Sequence, residues 1–420
     1  MSSSFNPLER TIARLLSRLP FVKRIAKRSY AVLVYLYKRK GYSMRLNGNA
    51  QTLHQAGSNT FFGYYDKSPL NQSSNFIIYQ QVDTVTSVKP DCVDQIAVCL
   101  NHFPDNKPVQ QFASKAFNWQ QGTKLQWISN KCFVFNDFDT VNSCYVSRIV
   151  DVEQGGIVRT LDKPLYDCFS DKFALTLSFE RLTVYSPDYG YFAKPVVESD
   201  LLPDDLDGVF YVDLQTGEHK LQLSLKTIAA FEPVFDAALA KHTVNHLMIS
   251  PDGCRFMFIH RWFVNGRRFD RLLLSDIDSG QLKVIASNEM VSHCFWHGSD
   301  KILGYLRGKD GKDSYWIIDC ETLLYTRMSM LDGYGDGHPH MHGEWFITDT
   351  YPDKARMQHL LAVNLQTEQV KELGEFFHGF RYDAETRCDL HPRFSFDGNF
   401  VFFDSVSSGD RRLCWMEFKP

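Results

Sequence analysis

SPDGCRFMFIH (residues 250–260) and RLLLSDIDSGQ (271–281) decide the fold. The first is a polar turn leading into a short run of apolar residues. The second is an apolar strand that runs into Asp and a polar turn. The second pattern recurs as DQIAVCLNHF (94–103), SCYVSRIVDVEQGG (143–156), GVFYVDLQTGE (208–218), SYWIIDCETL (314–323), HLLAVNLQTEQ (359–369) and RRLCWMEF (411–418). That makes seven copies, 43 to 65 residues apart. Turn-and-strand elements of the first kind precede most of them: SPLNQSSNFIIY (68–79), SNKCFVFNDFD (129–139), GSDKILGYL (298–306), GEWFITDT (343–350) and SFDGNFVFFDS (395–405). A period of this length, with about four strands in each, is the signature of a β-propeller. The expected fold is therefore all-β, a seven-bladed β-propeller over residues 45–420. The last copy lies at the end of the sequence, so ring closure is expected to borrow a strand from residues 45–60. Blades three and four are long, which places insertions between 180 and 240.

The 420 residues are 44% hydrophobic and 23% charged, ordinary for a globular protein, and the 14% aromatic content suits strands. The net charge of −3 hides an asymmetry: residues 1–41 hold ten Lys and Arg against Glu9 alone, leaving the rest at −12. An acidic body argues against a nucleic-acid binder. The ten cysteines stand singly with no Cys-x-x-Cys pair, which argues against zinc ribbons and thioredoxin-like chemistry and suits a reducing compartment.

Within residues 1–44, LERTIARLLSRLPFVKRIAKRSYAVLVYLYKRK (8–40) alternates apolar positions at helical spacing with Arg and Lys. Pro20 predicts two short helices or one kinked helix. The longest apolar run, Tyr30 to Tyr37, is far short of the ~20 residues that span a bilayer, and no signal-peptide cleavage site follows. The segment is expected to be a basic amphipathic helix, with residues 7–41 on an anionic membrane surface. The matching location is the cytoplasm, peripheral on the inner membrane.

Aligning the repeats on their turns brings out the chemistry. His246, His293, His338 and His391 fall at one phase of four consecutive blades, in NHLMIS, SHCFWH, GHPHMH and DLHPRF. Tyr64 of FFGYYDKSP holds that phase in the first blade. The phase opens the innermost strand, so these side chains are expected to converge at one mouth of the central channel. Four imidazoles there can bind a divalent metal, or divide into metal ligands and a general base. Among other histidines, His340 and His342 could add ligands, and His260 could reach the same mouth.

These motifs resemble the oligogalacturonate lyases, cytoplasmic seven-bladed propellers that use a manganese-type metal. The resemblance is best over 240–405. SHCFW around His293 looks like the family's segment carrying the catalytic base, GHPHMHGEW around His338 like a metal-His segment, and DLHPRF around His391 like its His-x-His-Pro metal motif. NHLMISPDG around His246 matches an upstream His-containing channel segment. Asp389 stands where the pattern has the first His of that pair, Thr386 where it has glutamine and Ser250 where it has arginine. Arg261, Arg393 or Arg387 would have to replace that arginine.

What the resemblance implies is a metal-assisted β-elimination on a uronate-containing oligosaccharide, with a divalent metal, manganese by family, on His338, Asp389 and His391. His293 would be the base, with His246 also catalytic or an added ligand. Tyr64, Tyr65, Arg261 and Arg393 would contact the acidic glycan. Two other readings compete: a membrane-surface glycan-processing enzyme, such as a glycosyltransferase in envelope polysaccharide synthesis, and a non-catalytic carbohydrate-binding propeller.

Overall fold

Seven antiparallel sheets radiate from a central channel in the computed structural model, which describes residues 20–53, 57–233 and 240–420. Six sheets have four strands and one has five. Within each blade the chain runs from the innermost strand outward, as in blade 4: Lys241–Ile249, Arg255–Val264, Arg267–Asp276 and Leu282–Ala286. The seven recurring sequence copies are the third strands of the seven blades, and the turn-and-strand elements are the second strands. Their apolar side chains pack blade against blade. Phe256, Phe258 and Leu273 of blade 4, for example, share one core with Leu175, Leu177 and Val209 of blade 3.

Closure follows the expected scheme. Ala50–Thr52 pairs antiparallel with Arg412–Glu417 as the outermost strand of blade 7, and Asn59–Phe61 then opens blade 1. Met44–Leu46 adds a fifth strand to blade 6 by pairing with its outer strand, Val370–Phe377. Asp404 fastens the seam where blade 7 meets blade 1. Its carboxylate accepts from the backbone N–H groups of Phe62 and Gly63 and pairs with the fully buried Arg393. Removing one partner of a buried pair strands the other charge. Asp404→Ala is therefore expected to cost about 3–5 kcal/mol of stability, read as a lower urea midpoint.

The long blade-3 spacing holds an insertion between its second strand, Phe173–Thr176, and its third, Gly208–Asp213. The insertion contains a short helix, Phe179–Tyr185, whose first turn is capped by Ser178 accepting from the Arg181 N–H. A second short helix, Leu225–Ala230, precedes blade 4 and is capped in the same way by Ser224.

Among the described residues the basic N-terminal segment contains the helix Pro20–Lys38. The part of the expected amphipathic segment before Pro20 lies outside the described residues. Among these no helix is long and apolar enough to cross a membrane. All ten cysteines are free.

Candidate metal and substrate site

One residue of each blade, close to its innermost strand, joins a circuit of contacts around the channel. Tyr64, Lys124 and Tyr166 come from blades 1 to 3, and His246, His293, His338 and His391 from blades 4 to 7. The Lys124 ammonium lies 5.3 Å from the Tyr64 ring and 4.1 Å from that of Tyr166. Tyr166 in turn donates to Asn245 Oδ1 at 3.1 Å, beside His246. Imidazole centroids then follow at 5.3 Å (His246 to His293), 3.9 Å (His293 to His338) and 4.2 Å (His338 to His391), and His391 returns to Tyr64 at 5.1 Å.

Local backbone irregularity aims these groups. His246 and His293 sit in β-bulges, where the pairing register of the innermost strand slips between Asn245 and Met248 and between Val291 and Cys294. A bulge turns a side chain away from regular alternation. Lys124, His246 and His391 have φ of 52°, 51° and 44°, a left-handed conformation unusual for residues with a Cβ. Gly63, at φ 107°, is required at its position, because a Cβ there would stand 2.7 Å from the Gln121 carbonyl carbon.

His338, Asp389 and His391, all buried, each offer one ligand atom, and these atoms lie within 4.8 Å of one another. Two outer partners fix which imidazole nitrogen is available. His391 Nδ1–H donates to the Gly63 carbonyl at 2.8 Å, leaving Nε2 buried with no hydrogen-bond partner among the described residues. His338 Nδ1–H donates to Asp349 Oδ1 at 2.8 Å. Asp349 also accepts from the backbone N–H groups of His338 and His391, so one carboxylate ties both histidines in place. Burial pushes the Asp349 carboxyl up to about 7 against the pull of those N–H groups, and burial holds the His338 and His391 pKa values well below that of free imidazole. Neutral imidazoles with Nε2 lone pairs and a buried carboxylate suit a divalent ion, and His391 Nε2, committed to no other described residue, fits the part of a ligand. Asp389 is gripped by both oxygens from Arg387 Nε at 2.8 Å.

A cavity of about 810 Å³ lies next to this cluster, lined by its neighbours His293 and Arg387 and by none of the three residues themselves. His246 and His293 belong to its lining, with Arg261, Arg387, Tyr189 and Asp336. His293 Nδ1 faces Asp336 Oδ1 at 3.4 Å and Ser292 Oγ at 3.1 Å, and the Ser292 hydroxyl donates to Asp336 at 2.6 Å. With its Nδ1 proton turned to Asp336, His293 keeps Nε2 for another task. His246 has neither ring nitrogen hydrogen-bonded among the described residues.

The expected substrate contacts divide. Arg261 lines the cavity, held by Asp270 at 2.6 Å and by Ser186 Oγ at 3.2 Å. Tyr64 lies among the histidines, its hydroxyl buried without a hydrogen-bond partner among the described residues. Arg393 does not reach the cavity, because it is fully buried and committed to Asp404 and the His391 carbonyl. Tyr65 is likewise spent, its buried hydroxyl donating to the Cys294 carbonyl.

Of the three arginines that could replace the missing one, Arg261 and Arg387 face the cavity. Thr386 turns its hydroxyl to the Asp383 carbonyl. His260 points away from the mouth, between His242 and Arg271, and His340 bonds the Tyr65 carbonyl while stacking on Phe295.

Tyr189, Asp336 and Asp349 escape the sequence reading. Tyr189 comes from the blade-3 insertion and stands edge-on to His246 at 5.3 Å. Asp349 had a signal: it stands six residues after Gly343, as Asp404 stands six after Gly398, and both carboxylates hold backbone N–H groups at channel entries.

No protein-family model and no curated protein matches this chain. Among solved structures the fold is similar to oligogalacturonate lyase from Vibrio parahaemolyticus, at 14% identity over 90% of this chain and 96% of that one, with a TM-score of 0.58. It is also similar to an oligogalacturonate lyase in complex with manganese, at 12% identity, 89% and 94% coverage and a TM-score of 0.60. The propeller domain of the trilobed protease from Pyrococcus furiosus aligns at 9% identity, 85% and 95% coverage and a TM-score of 0.50. Likeness at these identities establishes the propeller fold.

Proposed function

We propose that the protein is a metal-dependent lyase that cleaves a uronate-containing oligosaccharide by β-elimination. The observation that carries this reading is the three-ligand cluster of His338, Asp389 and His391 beside a separate, differently anchored imidazole, His293, in the lining of the cavity. Likeness in fold to oligogalacturonate lyases, one of them a manganese complex, agrees with it.

A divalent ion on the three ligands supplies Lewis acidity toward the uronate carboxylate, which makes the neighbouring C5 proton easier to remove. The rest falls to side chains. Arg261 and Arg387 offer guanidinium N–H groups to the anionic sugar, suited to planar carboxylates. His293 Nε2 takes the C5 proton while Asp336 steadies the imidazolium through Nδ1. The C5–H electron pair becomes the C4=C5 double bond, the C4–O bond breaks, and the leaving oxygen takes up a proton. The Tyr189 hydroxyl, in the same cavity, is the donor we assign. Burial raises its pKa to about 12, so it stays protonated at neutral pH.

Incubating the protein and manganese with a panel of uronate oligosaccharides should produce a rise in ultraviolet absorbance from the conjugated 4,5-unsaturated product, stopped by chelator. No rise across the panel, with metal bound, would overturn the reading in favour of a membrane-surface glycan enzyme.

A further inference from the structure

Over residues 28–38 the N-terminal helix has apolar side chains on more than one side, and the propeller contacts one of them. Tyr35 packs on Phe377 and Phe380 at the end of the outer strand of blade 6, with ring centroids 5.7 and 5.4 Å away. At 3.6 residues per turn, Leu33 and Tyr37 fall on the opposite side, and Leu36 about a quarter turn round from Tyr35. Leu33, Leu36 and Tyr37 are 66%, 52% and 88% exposed. Arg28, Lys38 and Arg39 are exposed on the same helix and just beyond it, in a segment with ten basic residues and one acidic. Downstream the chain is fixed firmly: Tyr42 donates to Glu375 at 2.5 Å, and Arg45 pairs with Glu372 at 3.0 Å.

The helix also lies at a defined end of the propeller. Met44 pairs with Phe376, so the chain preceding it approaches where the outer strand of blade 6 leaves for blade 7. That is the cavity end. Phe380, which the helix covers, is capped by Arg356, and Arg356 bonds His378; both line the cavity.

We infer that this helix docks on an anionic phospholipid bilayer and brings the cavity end of the propeller to the lipid surface. An exposed apolar side on a basic segment is what a charged interface takes up: apolar side chains enter the acyl boundary, and Lys and Arg of the same segment reach the phosphates. The substrate would then be an acidic glycan held at a membrane. Docking rests on the helix and not on the proposed reaction, so the two fail separately.

The test is flotation of the full chain with vesicles of phosphatidylcholine and phosphatidylglycerol at 70:30. Most of the protein should float, at least about fivefold more than with phosphatidylcholine alone. L33E/L36E should abolish flotation while the variant's melting and metal content stay unchanged. Two native exposed thiols report orientation. Cys92 lies between the second and third strands of blade 1, at the cavity end, and Cys254 between the first and second strands of blade 4, at the other. Vesicles should slow maleimide labelling of Cys92 and not of Cys254. Flotation insensitive to L33E/L36E, equal slowing of both thiols, or a dimer that L33E/L36E dissociates, placing a second copy on this face, would overturn the inference.

Discussion

Asn in place of His391 is expected to empty the metal site and abolish activity without unfolding the propeller. The choice of Asn matters because His391 has a φ of 44°. Asn tolerates the left-handed region better than other residues with a Cβ. Its side-chain amide can also donate to the Gly63 carbonyl in place of His391 Nδ1–H, and the backbone N–H remains available to Asp349. What disappears is Nε2, the buried nitrogen with no hydrogen-bond partner among the described residues. Even partners outside a ligand set are worth about 10–100-fold in metal affinity, so loss of a ligand should cost at least the upper figure. Metal content after gel filtration, measured by mass spectrometry, is the direct readout. Unchanged melting in the presence of chelator would show that wild type and variant share one apo fold. An H391N protein that kept its metal would remove His391 from the ligand set, and with it the geometric basis for the proposed lyase.

The blades and the phase of the histidines were legible because both are periodic. A propeller repeats its second and third strands, so turn, strand and Asp recur along the chain whatever the details of each blade. Histidines in register with those turns had to meet where the innermost strands meet. Orientation within that meeting place was not legible. Alternation assigns a side only in regular strand, and His246, His293 and His391 occupy bulges or left-handed positions that break it. Arg393 illustrates the loss. Two residues after His391, it reads as a neighbour of the site, yet the seam between blades 7 and 1 takes it through Asp404. Tyr189 was hidden for another reason: it arrives on a non-repeating insertion whose position the spacing showed and whose path it did not. Asp349 was visible as a residue and invisible as a role, because its work is to hold two other residues' backbone N–H groups.

His293→Ala should separate chemistry from metal binding. His293 differs from its neighbours in what holds it: Asp336 and Ser292 at Nδ1, both in the cavity lining, where His338 is held by the deeply buried Asp349. It is absent from the three-ligand cluster although its ring centroid lies only 3.9 Å from that of His338. A base in that place needs an accessible Nε2, an acceptor behind Nδ1 to steady the charged form, and a position next to the group that polarises the substrate. His293 meets each requirement. Removing a general base costs about 10²–10⁴ in rate, so H293A should lose turnover by that factor with metal content and substrate affinity near wild type. Asp336→Asn should lower kcat by less, since the imidazole remains and only its partner is neutralised. Loss of metal from H293A would make His293 a fourth ligand, and the base would then have to be His246, whose two ring nitrogens are both without partners among the described residues.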